Sequence, residues 1–128
     1  MLPYSELLSI SKQLQNFWEP GVERCGLVLD NLTIEEKSNH SKTPERSFAF
    51  DLVDLMLSSV GTWHTHPTTS ANLSIDDYRF FECWPNKLHW IVSQGEVWCY
   101  LVKDGIVYCV DEEDYSAWSS QGSVQSPD

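Results

Sequence analysis

Residues 63–77 read WHTHPTTSANLSIDD, from Trp63 to Asp77. The residues leading in, Ser59 to His66, have the make-up of a strand, and those from Ser74 onward have that of a helix. Successive strand residues point to opposite faces, so His64 and His66 project together and Thr65 projects away from them. Pro67 stiffens the exit from the strand. Ser74, three residues before Asp77, fits a helix start in which the serine caps and the aspartate occupies the first turn. Two imidazoles on one face and a carboxylate delivered by the next helix are three donors of the kind zinc takes, with a fourth position left for water. The plainer alternative is two satisfied histidines on a strand and a serine that only caps. The spacing HxHx7SxxD arises by chance in about one in a thousand chains of this composition, which favours the metal reading.

Working outward, Ser5 to Trp18 places Leu7, Leu8, Ile10, Leu14 and Phe17 at spacings that predict a helix with one buried stripe. Ser5 is its expected N-cap and Pro20-Gly21 its end. Val22 to Leu29 (VERCGLVL) predicts a strand. Thr33 to Lys37 predicts a short strand within a polar stretch from Asn31 to Arg46, and Asp51 to Ser58 a short helix. The helix begun at Ser74 runs to Cys83 and stops before Pro85. Lys87 to Ser93, Glu96 to Val102 and Ile106 to Val110 predict a meander, turning at Gln94-Gly95 and Asp104-Gly105. The order helix, strands, helix, strand, helix, strands predicts an α/β or α+β sandwich. One domain is expected over residues 1–113, with residues 114–128 as a polar, disordered tail.

A chain of 128 residues that is 41% hydrophobic, with six Trp, can bury a core without disulfides. Cys25, Cys83, Cys99 and Cys109 form no CxxC pair and no zinc-ribbon spacing. Without a signal-peptide pattern, they are expected to be free thiols in a reducing, cytoplasmic compartment. No apolar run approaches the roughly 20 residues needed to span a bilayer. Eight basic residues against nineteen acidic ones give a net charge of −11. That balance leaves no basic stripe for phosphates, so neither nucleic acid nor an anionic membrane is an expected partner. His40 reads as loop surface and His89 as a structural strand residue. Trp63, Trp84, Trp90, Trp98 and Trp118 read as packing residues rather than a platform for stacked bases.

A hydrolytic zinc site also needs a base, and Glu23 is a carboxylate opening an otherwise apolar strand, where it fits poorly unless it has a task. Cys25 shares its strand parity and reads as a small packed hydrophobe. Taken together, Glu23 in VERCGLVL, His64-Thr65-His66-Pro67 and Ser74-Ile75-Asp76-Asp77 resemble the signature of the JAMM (MPN-plus) metalloproteases: an upstream Glu, HxH, seven residues, Ser, two residues and Asp. The resemblance runs from the N-terminal helix to about Val110. The ERCGLVL form and the Asn39-His40, Pro44 and Phe48 stretch look more like the bacterial and phage branch of that family.

The resemblance implies a mixed β-sheet flanked by helices, similar to the cytidine-deaminase-like architecture. It implies that His64, His66 and Asp77 bind one zinc ion, that Glu23 acts as general base and then acid, and that Ser74 supports the oxyanion. It also implies a substrate, a ubiquitin-like protein or its conjugate, cut after the C-terminal tail, with conjugation-machinery proteins as possible partners. Two other functions fit the same residues: a JAMM-like phage tail-assembly protein, and a zinc-stabilised interaction module with no activity. The intact Glu23 speaks against the last, because a structural zinc site needs no base.

Overall fold

The computed structural model describes residues 2–37, 59–66, 75–111, 113 and 115. Among the described residues, two α-helices, a 3-10 turn and six strands follow in the order α1 (Tyr4–Leu14), the turn (Gln15–Phe17), β1 (Cys25–Leu29), β2 (Ile34–Lys37), β3 (Ser59–Thr65), α2 (Ile75–Glu82), β4 (Leu88–Ser93), β5 (Glu96–Lys103) and β6 (Ile106–Cys109). The strands form one sheet in the order β2-β1-β3-β4-β5-β6. Only β3 and β4 run parallel; the other neighbours are antiparallel. The fold is therefore a single small α+β domain on a mixed sheet. The helix expected over Asp51 to Ser58, His40 and most of the expected tail lie outside the described residues.

Strand parity sorts the core into two layers. Register aligns Trp63 with Trp90 and Trp90 with Cys99, and this face packs under Leu7, Ile10 and Leu14 of α1. The opposite face aligns His64 with Ile91 and His89 with Tyr100, and here Phe81 of α2 packs on Ile91, Tyr100 and Val102. Trp63 and Trp90 are fully buried, and truncating either should cost about 3–5 kcal/mol. Trp98 corrects the expectation of a packed indole: it lies on the α2 face, 38% exposed. Tyr115, which the sequence leaves in the tail, is buried against Tyr4 and donates its hydroxyl to Leu2 O.

Several boundaries shift. Pro3, with φ −61° and ψ 145°, occupies the N-cap position and its carbonyl receives Glu6 N–H and Leu7 N–H, so α1 begins ahead of Ser5. β1 begins at Cys25, which leaves Glu23 just before the strand rather than on it. The two tight turns match expectation. Gly95 has φ +80°, and Asp104 and Gly105 have φ +54° and +78°, the left-handed pair of a two-residue hairpin turn.

Gly26 owes its identity to Trp63. The indole crosses it to donate Nε1–H to Glu35 O at 3.3 Å. A Cβ on Gly26 would lie 2.0 Å from that same carbonyl oxygen and 2.7 Å from Trp63 Nε1. Backbone oxygen cannot swing aside, so Gly26→Ala should lower stability by about 3 kcal/mol, read as a fall in the urea midpoint. An unchanged midpoint would show that β2 can shift at no cost.

Candidate metal centre

The parallel pair decides where the site sits. The carboxyl end of β3 opens beside β4, and the chain returns through α2, so side chains from the strand end and the first helical turn meet there. β3 is paired on both sides, and His64 near its end is fully buried. His66 follows the strand, with its N–H given to Val92 O at 2.7 Å and its carbonyl receiving Trp18 Nε1–H at 3.1 Å. The side chain of His66 is 11% exposed.

Asp77 comes from the first turn of α2, where a negative charge also suits the helix dipole. Its Oδ1 lies 2.8 Å from His64 Nε2 and its Oδ2 lies 3.0 Å from His66 Nε2. Both imidazoles thus turn the same nitrogen toward one carboxylate.

Glu23 is held by its neighbours. Arg24 N–H donates to Thr65 Oγ1 at 2.9 Å, the Thr65 hydroxyl donates to Val22 O at 3.3 Å, and Thr65 N–H donates to Arg24 O at 2.8 Å. The residue between the two histidines therefore binds the peptide groups on both sides of Glu23. The Arg24 guanidinium grips Glu36 in a two-pronged pair at 2.7 and 2.6 Å and donates to Phe17 O at 2.8 Å. The outcome is that a Glu23 carboxylate oxygen and one ring nitrogen each of His64 and His66 lie within 4.8 Å of one another, a group that can hold a metal ion.

Burial pushes the Glu23 carboxyl up to about 7, against the lowering field of His66 and with help from Asp77. Burial likewise lowers His64, outweighing the Asp77 carboxylate, and so favours the neutral imidazole a metal ligand must be. Burial would raise Asp77, but its contacts with His64 and His66 prevail and hold it ionised, below the usual carboxylate range. The nitrogen and oxygen donors suit a divalent metal ion, whose ligands at about 2.0–2.2 Å stand about 3.3–3.6 Å apart in a tetrahedron. The Asp77 contacts fall slightly inside that spacing, so a small parting of the three side chains would admit the ion.

Of the five residues singled out from the sequence, the structure gathers Glu23, His64, His66 and Asp77; Ser74 lies outside the described residues. The mutually close trio is Glu23, His64 and His66, whereas Asp77 bridges the two imidazoles. Cys25 is fully buried, level with His64 across β1 and β3, with its thiol directed to Lys37 O at 3.9 Å. Thr65, Arg24 and Trp18 support the site and carry no motif of their own. The one available cue was Thr65, a hydroxyl side chain fixed between two candidate ligands.

No sequence-family profile matches the chain, and no curated protein matches it. Its fold is similar to the solution structure of protein DSY2949 from Desulfitobacterium hafniense, at a TM-score of 0.55 and 21% identity, over 84% of this chain and 85% of that one. At that identity the likeness is one of fold. Among the described residues, no helix is long and apolar enough to cross a membrane.

Proposed function

We propose that the chain is a zinc-dependent peptidase of the JAMM type, which cleaves the isopeptide or peptide bond after the C-terminal tail of a ubiquitin-like protein. One observation carries the reading: Glu23, His64, His66 and Asp77, from three separate stretches of sequence, meet at the carboxyl end of β3. On this reading the mixed sheet with a helix on each face is the JAMM form of the cytidine-deaminase-like architecture.

His64, His66 and Asp77 would hold one zinc ion, with Glu23 beside it. When bound, zinc would supply a Lewis acid for the scissile carbonyl and would acidify water at the site. Glu23 accepts a proton from the attacking water on its carboxylate and returns it to the departing amine nitrogen. Burial raises the Glu23 carboxyl, and the positive charge of a metal ion beside it would draw it back down, which favours the carboxylate that takes the proton. Ser74 is assigned by the resemblance to support the oxyanion with a hydrogen bond from its hydroxyl. Thr65 and Arg24 keep the Glu23 backbone from drifting during the exchange.

The test is incubation of zinc-loaded protein with ubiquitin-like proteins bearing C-terminal extensions, followed by mass spectrometry. Cleavage after at least one tail is expected. No cleavage across the panel overturns the substrate claim, and zinc retained in that same sample would leave a metal-binding module.

A further inference from the structure

One buried titratable side chain lies outside the proposed chemistry and yet touches both elements that supply its ligands. His89, the second residue of β4, is fully buried. Its Nδ1 lies 2.8 Å from Thr62 Oγ1, and its Nε2 lies 3.1 Å from Trp84 O. A carbonyl can only accept, so Nε2 carries the proton and Nδ1 receives the Thr62 hydroxyl. Burial takes this imidazole down to about 4, which keeps it neutral near pH 7.

The two contacts reach different parts of the site. Thr62 is two residues before His64 on β3, hence on the same face. Trp84 closes the turn after α2, and its N–H donates to Phe81 O at 2.9 Å. The Phe81 ring lies flat on the His89 imidazole, centroids 4.3 Å apart and planes 13° from parallel. Phe81 stands one helical turn beyond Asp77, on the same side of α2. Phe80 meets the ring edge-on at 5.8 Å.

We propose that His89 is a positioning residue for the candidate metal centre: it ties the strand that carries His64 to the helix that carries Asp77, and so sets how closely those two donors approach. This rests on the reading of His64, His66 and Asp77 as ligands. β3 and α2 are covalently joined only through the connection after His66, so their separation depends on what lies between them; His89 bonds to β3 at Thr62 and to the turn after α2 at Trp84, and stacks on Phe81 of α2. Groups behind the ligands of a metal commonly control affinity by about 10–100-fold.

The experiment is titration with Co(II), read by its visible absorption bands, and with Zn(II) against a chromophoric chelator, on the full chain. His89→Phe keeps the stacked ring and loses both hydrogen bonds; it should weaken zinc by about tenfold or more and alter the cobalt bands. His89→Gln can still donate to Trp84 O and should fall nearer to wild type. Thr62→Val removes only the strand-side bond and should be intermediate; it carries the test if His89→Phe fails to fold. Leu14→Ala, on the opposite face of the sheet, should lower thermal stability and leave affinity and spectrum alone. The proposal is overturned if Thr62→Val and any folded His89→Phe match wild type in both readouts, or if Leu14→Ala disturbs them equally. Wild-type protein that binds neither metal would overturn the ligand reading itself.

Discussion

Glu23→Gln is expected to leave the metal in place and lower kcat/KM by at least about a hundredfold, the usual scale for losing a general base. Glutamine keeps the size of the side chain and its place beside His64 and His66, but its amide cannot take a proton from water. Stability should hold, because a neutral amide is easier to bury than the carboxylate it replaces. Two measurements on one preparation check this: zinc content by mass spectrometry and turnover of whichever extended substrate is cleaved. The pairing matters because the trio of close donors contains Glu23 and omits Asp77. If Glu23 were a ligand, Glu23→Gln would lose zinc together with activity. If turnover fell less than tenfold with zinc retained, the proton would have another acceptor and Glu23 would be structural.

Much of the sheet was legible because its cues are local. Gln94-Gly95 and Asp104-Gly105 mark turns by the left-handed conformations that Gly95, Asp104 and Gly105 adopt, and they fix the register of β4, β5 and β6. The stripe Leu7, Ile10 and Leu14 shows α1 at helical spacing. Where the reading slipped, a backbone effect overrode a side-chain cue. Ser5 looks like a cap by its hydroxyl, but Pro3 is already fixed in extended geometry and offers its carbonyl to two amides. Trp98 looks like core by its size, but it lies level with Ile91 on the α2 face and stays partly in solvent.

The site divides in the same way. His64, His66 and Asp77 carry their relationship in their spacing, because strand parity and a helix start are short-range rules. Glu23 is legible only as a misfit, a carboxylate in an apolar run. What holds Glu23 is not legible at all: Thr65 meets Val22 and Arg24 across the β1–β3 pairing, and Trp18 reaches the His66 carbonyl from the far end of the α1 segment. His89 reads as an ordinary strand residue until Thr62 and Trp84 are seen on either side of it. Such contacts depend on the assembled fold, and no local pattern encodes them.

His64→Ala should abolish stoichiometric zinc binding and, with it, the stabilisation that zinc confers. A ligand at about a thousand times its Kd stabilises the folded state by about 4 kcal/mol, which for a domain of this size raises Tm on the order of 10 °C. Wild type should therefore melt higher with zinc than with a chelator, while His64→Ala should melt at one temperature in both. His64 is the informative ligand to remove because it is fully buried and its Nε2 lies 2.8 Å from Asp77 Oδ1. Without it the carboxylate loses that partner, so the variant should also be less stable than chelated wild type, by about 1–3 kcal/mol. A zinc-dependent rise of Tm that survives His64→Ala would remove His64 from the ligand set. Asp77→Asn completes the argument: loss of zinc there, beside retention in Glu23→Gln, makes Asp77 the third ligand and leaves Glu23 free to move the proton. The reverse pattern would exchange their roles, with Glu23 on the metal and Asp77 orienting the two imidazoles.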